Sequence, residues 1–482
     1  MRFFLLHSGQ ASASRLAKRV NGLVLAQDVK GITADDRVIR FGNTEDLDLG
    51  WTVNRRDALL SADSRRTLLK SLRRAGVACP RSRSAEEDTE SKMHLLRHYR
   101  VPVFDLKALS CFRTESKAVW LSKRINQITD AFFEVPCELD DETKKVTQLA
   151  VRAVHALGLE FGLVSIGVLS KSRQVVLDVA ATPVLKGRTL ELYADAISDW
   201  MAQEEKNLRP DYDHLWMGAD LEFMLRSRQG KMVMASRYFP QQGVVGCDDR
   251  TLAGDRTRRP LAEIRPEPAT TPENLLVNVK KALKKAHQFA KHSSSEWLAG
   301  SAPFTRYPIG GHLHFSGVAM SARLINLLDV YLGLPLMLIE DPETANRRRP
   351  KYGFLGDVRK KEHGGFEYRT PASFLVDPQI TYAVFALADT IVRHHHELPY
   401  LPLHRQDYAR AFYRSDRDYL LPLVEEAFRE LAKTKTYAHY QAIIEPIVMM
   451  IRRDEVWDES QDIRRVWGLS HSSESKKRNT AS

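Results

Sequence analysis

The chain has 482 residues, 43% hydrophobic and 28% charged, which is the balance of a globular protein too long for one ordinary domain. The formal charge of +11 comes from dispersed arginines, the clearest acid-free basic segment being the "SKKRN" tail; with no RNA- or DNA-binding motif beside them, dedicated nucleic-acid binding is not expected. No apolar run is read as reaching the ~20 residues that span a bilayer, so no membrane is expected.

The opening "MRFFLLHSGQ" lacks a basic n-region and a long apolar core, so it reads as a β-strand rather than a signal peptide. "SASRLAKRV" comes next as a helix, "RVIRFGN" as a strand, and "DSRRTLLKSLRRAG" as a helix stopped by Gly76. "CPRSRSAEEDTESK" (79–92) is polar and aperiodic, a loop. "YRVPVFDLKAL", the helical "TKKVTQLAVRAVHALG" and strands at "GLVSIGVL" and "QVVLDVA" fill the stretch to about 200. "EEKNLRPDYDH" (204–214) reads as a linker. Cys79, Cys111, Cys137 and Cys247 have no CxxC spacing, which suits a reducing cytoplasm and argues against a disulfide framework.

Beyond 215, "GADLEFMLRSRQGKMVMASRYF" reads as two strands with a turn at Gln229-Gly230. "PLAEIRPEP", "YPIGGHLHFSG" and "GGFEYRT" are further strands. "ENLLVNVKKALKKAHQFAKH" is an amphipathic helix, and "SARLINLLDVYLGLPLMLIED" an apolar, buried one. Strands and helices do not alternate regularly, so the class is α+β.

Four of these strands carry polar pairs at i, i+2, which a strand turns to one face. The pairs are Asp220/Glu222, Glu263/Arg265, His312/His314 and Glu367/Arg369. One such pair is ordinary on a solvated sheet face. Four in one domain, rich in carboxylates, would repel one another without cations between them. Hard oxygen ligands suit Mg²⁺ or Mn²⁺, and arginines grip phosphate or carboxylate oxygens bidentately. Residues 345–371 add Arg347, Arg348, Arg349 and Arg359 among Gly353, Gly356, Gly364 and Gly365, the composition of a phosphate or substrate clamp.

The pattern "GADLEF … GCDD … LAEIRPEP … GGHLHFS … RRRPKYGFLGDVR … GGFEYRTPASFLV", over about 212–400, resembles the phage- and Firmicute-associated amidoligases called COOH–NH2 ligase type 2, in the glutamine synthetase / glutamate–cysteine ligase superfamily. The resemblance implies a curved antiparallel sheet facing ATP. On it Asp220, Glu222, Glu263 and Glu367 would hold metal. His312, His314 and Arg348 would bind nucleotide, and Arg349, Arg359 and Arg369 would serve the phosphate and the acyl-phosphate intermediate. Residues 1–205 resemble an ATP-grasp region, a smaller α/β domain. Ser165 stands there at a metal acid's position, Asp178 and Ala180 stand in place of Glu-x-Asn, and the glycine-rich segment expected at about 80–96 is shortened or missing. That domain is expected to be degenerate. Residues 206–465 would be the catalytic domain and 466–482 a disordered tail.

The expected function is ATP- and Mg²⁺-dependent ligation of a carboxylate to an amine, with peptide, peptidoglycan-type and polyamine substrates all compatible. Gly310 and Gly311 would leave space for the nucleotide. The rivals are a metal-dependent amide hydrolase and a non-catalytic scaffold. HxH is also a zinc half-site, but zinc does not explain the arginines. "RHHHEL" (393–398) puts consecutive histidines in different directions, a helix-end feature.

Overall fold

A continuous apolar run makes a strand buried on both faces, and Phe3–His7 (β1) is buried at every position. In the computed structural model, which describes residues 1–42, 44–80, 95–114, 131–207, 212, 214–362 and 364–469, β1 lies between two parallel partners. These are Leu23–Ala26 (β2) and Arg37–Phe41 (β3); Trp51–Val53 (β4) extends the parallel sheet in the order β2-β1-β3-β4. Helix Ala11–Ala17 (α1) joins β1 to β2, and helices Arg56–Asp63 (α2) and Arg65–Arg74 (α3) come after β4, with Gly76 past the end of α3 at φ +69°. The short strands β2 and β4 and helix α2 have no periodicity long enough to read in the sequence.

The next sheet is antiparallel: Arg97–Phe104 (β5), Lys107–Ala108 (β6), Cys111–Arg113 (β7), Phe133–Val135 (β8), Phe161–Leu169 (β9) and Arg173–Ala180 (β10), in the order β10-β9-β5-β7-β8 with β6 on β5. Asp141–Ala156 (α4) opens with Asp140 and Thr143 capping each other's backbone N–H. Its Val146, Ala150 and Ala153 pack on Tyr99, Val101 and Ile166. Gly187–Asn207 (α5) packs Leu190, Tyr193 and Ile197 with Phe3, Leu5 and Phe41. The helix takes the first residues of the stretch read as a linker; residues 208–211 and 213 of that linker, most of the loop at 79–92, most of the shortened segment at 80–96 and the tail beyond 469 lie outside the described residues.

Two units emerge. The first holds Met1–Pro210 and also Ser321–Asn326 and Pro399–Tyr413. These returns are anchored chemically: the Ala322 N–H donates to Asp105 Oδ1 at 2.6 Å, Arg323 lies 4.7 Å from the Trp51 ring, and Tyr400 packs edge-on to Trp51. The remaining residues form the second unit.

The second unit is built on one antiparallel sheet. Its strands are Trp216–Arg226 (β11), Met232–Val233 (β12), Val245–Cys247 (β13), Leu261–Ile264 (β14), Glu296–Leu298 (β15), Gly311–Ser316 (β16), Val358–Lys360 (β17) and Phe366–Tyr368 (β18). The order is β13-β14-β11-β16-β18-β17, with β12 and β15 on β11. Met217, Ala219, Leu221, Phe223 and Leu225 of β11, with Leu313, Phe315, Phe366 and Tyr368, are buried on one face. Pro272–Phe289 (α6) packs on β11, β13 and β14. After it come Pro342–Arg348 (α7), then Pro378–Arg393 (α8) and Lys435–Arg452 (α9), with α8 packed on both α6 and α9. Asp377 caps α8 by accepting from the Gln379 and Ile380 N–H groups, with Pro378 at the first turn. His394–His396 continue from the end of α8 as a turn.

The apolar stretch after 321 departs from the sequence reading. The window Ala322–Ile339 has mean hydropathy 1.6, long and apolar enough by composition to cross a bilayer, and all of it is buried inside the protein. It is also not one regular helix: Asp329–Gly333 is a π turn. There the Asp329 carboxylate accepts from the Tyr368 hydroxyl at 2.8 Å and the Gly356 N–H at 3.0 Å.

Arg348 is a correction. It was expected at the nucleotide, but its guanidinium is fully buried and donates to the carbonyls of Ile309 (2.9 Å), Thr370 (2.7 Å), Pro371 (2.7 Å) and Arg369 (3.2 Å). It therefore pins the approach to β16 onto the end of β18. Gly353, at φ +70°, is glycine because a Cβ there would overlap this guanidinium. Arg348→Met should lower unfolding stability by about 3 kcal/mol or more, since each buried carbonyl left unpaired costs roughly 1–3 kcal/mol. Denaturant unfolding measures this; a loss below about 1 kcal/mol, typical of a surface change, would contradict the pinning role.

Candidate active site

Register brings the polar pairs together. Asp220 on β11 is opposite His312 on β16, Glu222 is opposite Glu263 on β14, and His314 is opposite Glu367 on β18. Directly opposed residues of antiparallel strands share a face. Asp220, Glu222, Glu263, His312, His314 and Glu367 thus line one side of the sheet, backed by the apolar side.

The carboxylates are close enough to share cations. Glu222, Asp248 and Glu263 offer ligand oxygens within 4.8 Å of one another; so do Asp220, His314 and Glu367 with one atom each, and Asp220, Glu263 and His312 link the two groups. Glu222, Glu263 and Glu367 are buried. Burial, and then repulsion from Asp220 and Glu222, pushes the Glu263 carboxyl up to about 9. It carries a proton at neutral pH unless a cation replaces it. Burial also opposes ionisation of Asp220, but the hydrogen bond and charge of His314 outweigh it and lower its carboxyl. Glu367 likewise overcomes burial, through His312, Arg369 and Lys361, and stays well below the usual carboxylate range. This oxygen-rich set fits Mg²⁺ or Mn²⁺.

Basic side chains neutralise the face. Arg250 bridges Glu222 at 2.7 Å and Asp248 at 2.6 Å, and Arg265 pairs with Glu263. Lys361 Nζ is 2.8 Å from Glu367 Oε2, and Arg369 Nη1 is 3.7 Å from Glu367 Oε1. Arg359, opposite Glu367 on β17, is 62% exposed and 3.8 Å away. His312 Nδ1 lies 3.1 Å from Glu367 Oε1, and His314 Nε2 lies 3.1 Å from Asp220 Oδ2.

Of the residues expected from the sequence, Asp220, Glu222, Glu263, His312, His314, Glu367, Arg359 and Arg369 meet here. Arg348 and Arg349 do not. Arg349 is buried with Nη1 2.6 Å from Glu340 Oε2, and its Nη2 donates to Ser415. The glycines also serve a different end. A Cβ at Gly310 would come within 2.6 Å of His312 Nε2, and one at Gly311 within 2.6 Å of the Phe374 ring, so protein atoms take the space assigned to a nucleotide.

Asp248, Arg250, Tyr352 and Lys361 join this face without a periodic signal in the sequence. Asp248 and Arg250 come just after β13 in "GCDDR", where no strand period marks them. Tyr352 sits in the arginine-rich loop. Its hydroxyl is 2.5 Å from His312 Nε2, 3.3 Å from Arg369 Nη2 and 3.4 Å from Glu222 Oε1.

Residues 217–469 match the family described as "Phage phiEco32-like COOH.NH2 ligase-type 2". A search of curated proteins found no match. Among solved structures, the ATP-grasp ligase PsnB complexed with minimal precursor, Mg and ADP is 12% identical over 42% of this chain and 96% of its own, with TM-score 0.30. The macrocyclase MdnB from Microcystis aeruginosa MRC is 11% identical over 42% of this chain and 98% of its own, TM-score 0.28. A bifunctional glutathione synthetase from Pasteurella multocida is 9% identical over 56% of this chain and 51% of its own, TM-score 0.34. Likenesses this slight carry no argument about fold or function.

The Glu263 proton gives a pH signature. Its folded value, about 9, lies above the ordinary 4.5, so the native state holds the proton more tightly than the unfolded chain. That contribution is fully present below about pH 4.5 and is lost as pH rises through about 9. Glu160 of the first unit, raised to about 8 by burial, adds in the same direction. Metal-free protein should therefore melt at lower temperature at pH 9 than at pH 6, and Mg²⁺ should restore more stability at pH 9. Glu263→Gln should abolish most of the Mg²⁺ effect. Equal Mg²⁺ stabilisation at both pH values would contradict the assignment of Glu263.

Proposed function

The chain belongs to the phage phiEco32-like COOH.NH2 ligase type 2 family, whose name is that of enzymes joining a carboxylate to an amine, and from that premise we propose that the polar sheet face performs ATP-dependent amide formation. The observation that carries the reading is the meeting of linked carboxylate groups with Arg359, Lys361 and Arg369 on one face. Asp220, Glu222, Asp248, Glu263 and Glu367 would hold Mg²⁺ or Mn²⁺, which supplies charge neutralisation and orientation of phosphate oxygens.

The terminal phosphoryl group passes from ATP to a carboxylate oxygen of the acid substrate, and ADP leaves. The amine nitrogen then attacks the carbonyl carbon of the acyl phosphate. The carbon–oxygen bond to phosphate breaks, phosphate leaves with that oxygen, and the nitrogen gives up a proton. Arg369, held by Tyr352 and Glu367, would grip the transferred phosphoryl oxygens in a bidentate fork. Arg359, exposed at the face's edge, is free to close over the acid's second oxygen. The sheet is then of the glutamine synthetase / glutamate–cysteine ligase type, a reading supported by its antiparallel order, with Glu367 on an inner strand.

The first unit is proposed as a degenerate ATP-grasp-like domain without its own phosphoryl transfer. Ser165 Oγ, at the metal acid's position, is engaged by His98 Nε2 at 2.5 Å. Burial and the Arg100 charge push His98 down to about 3, so that imidazole is neutral. Ala180 offers no ligand beside the buried Asp178. The four cysteines, none in a disulfide, support a reducing, cytoplasmic setting.

ADP release should need both a carboxylate and an amine, with the amide seen by mass spectrometry. Glu367→Gln should lower turnover and metal affinity, and should also lower the melting temperature, because it leaves His312, Lys361 and Arg369 without their buried carboxylate. Arg369→Lys keeps charge but loses the fork, and should cost roughly 2–4 kcal/mol of transition-state stabilisation. Asp178→Ala should leave turnover unchanged. A surface salt bridge would instead shift stability by about 0–1 kcal/mol and leave ATP consumption alone; silence of both Glu367→Gln and Arg369→Lys sinks the site as drawn.

A further inference from the structure

A histidine offers a metal one ring nitrogen, and for His312 both nitrogens are already committed. Its Nδ1 faces the Glu367 carboxylate at 3.1 Å, and a carboxylate only accepts, so Nδ1 carries the hydrogen. The other nitrogen, Nε2, is met by the Tyr352 hydroxyl at 2.5 Å. Whichever of these two groups donates, a metal ion cannot occupy the Nε2 position while the hydroxyl stands there.

Tyr352 is not free to leave. The guanidinium carbons of Arg348, Arg250 and Arg369 lie 4.9, 5.1 and 5.4 Å from its ring centroid. Arg348 is itself pinned to four carbonyls, and Arg250 to Glu222 and Asp248. Gly310 lacks a side chain where one would press on both His312 Nε2 and the tyrosine hydroxyl. The surrounding residues thus hold the hydroxyl against the imidazole.

The sequence "HLH" offers a zinc half-site, which needs both imidazoles turned to one ion. Imidazole nitrogen favours Zn²⁺, and carboxylate oxygen favours Mg²⁺ or Mn²⁺. We propose that Tyr352 is a positioning residue that sets the metal preference of this face: by occupying the ligand position of His312 Nε2 it withdraws that imidazole and leaves the cation to carboxylate oxygens. The inference rests on the reading of the face as a divalent-cation site.

The test uses the full chain stripped of metal, titrated calorimetrically with MgCl₂ alone and ZnCl₂ alone. Tyr352→Phe keeps the ring and removes the hydroxyl. It should raise Zn²⁺ affinity relative to Mg²⁺ at least tenfold, the scale on which groups buttressing a metal ligand act. Zinc-edge X-ray absorption of the loaded variant should count one more imidazole than in wild type, and Tyr352→Phe/His312→Gln should reverse both changes. An unchanged affinity ratio with an unchanged imidazole count overturns the proposal while Mg²⁺ binding by wild type keeps the site reading. No divalent-cation binding by wild type overturns both. Should Tyr352→Phe unfold, His312→Gln alone decides: Zn²⁺ affinity within twofold of wild type supports the proposal, and a tenfold fall shows that His312 already binds metal and overturns it.

Discussion

Like charges on one buried face must be compensated, and the second unit is organised around that requirement. Asp220, Glu222, Asp248, Glu263 and Glu367 converge where water is largely excluded. In so low a dielectric their mutual repulsion is large. The fold meets it in three ways: guanidinium and ammonium groups from Arg250, Lys361 and Arg369, imidazoles against Asp220 and Glu367, and a carboxyl at Glu263 raised by burial and by its acidic neighbours despite Arg265. Each is a place where a divalent cation or a phosphate can exchange with what is there.

Such a face is only useful if it is rigid, and the rigidity comes from behind it. Arg348 ties the carbonyls around Ile309 and Pro371, which fixes where His312 and Arg369 emerge. The Asp329 carboxylate, taken out of regular helix by the π turn, holds the Tyr368 hydroxyl and the Gly356 N–H, and so steadies β18 from the apolar side. Glu222 is fixed by the Gly310 N–H at 2.7 Å as well as by Arg250.

What could be read from the sequence was what has a period. Asp220/Glu222 and His312/His314 sit two apart on β11 and β16, so their common face came from strand geometry, and the registers join them to Glu263 and Glu367; Arg369 lies one residue past β18 and reaches the face from there. Loop residues carry no such signal: Asp248, Arg250, Tyr352 and Lys361 reach the face only because the chain folds back. In "RRRPKYGFLGDVR" composition could not tell the buried pins Arg348 and Arg349 from the exposed Arg359, since burial alone separates them. The returns of Ser321–Asn326 and Pro399–Tyr413 to the first unit were equally hidden, because they depend on contacts such as Ala322 with Asp105 rather than on composition.

The account's central claim is that this one face gathers the metal and the nucleotide phosphates. Anomalous diffraction from crystals grown with Mn²⁺ and a non-hydrolysable ATP analogue tests it most directly. The account predicts manganese peaks bounded by Asp220, Glu222, Glu263 and Glu367, with the analogue's terminal phosphate against Arg369. Manganese and nucleotide bound elsewhere, with this face empty and its ion pairs intact, would contradict it.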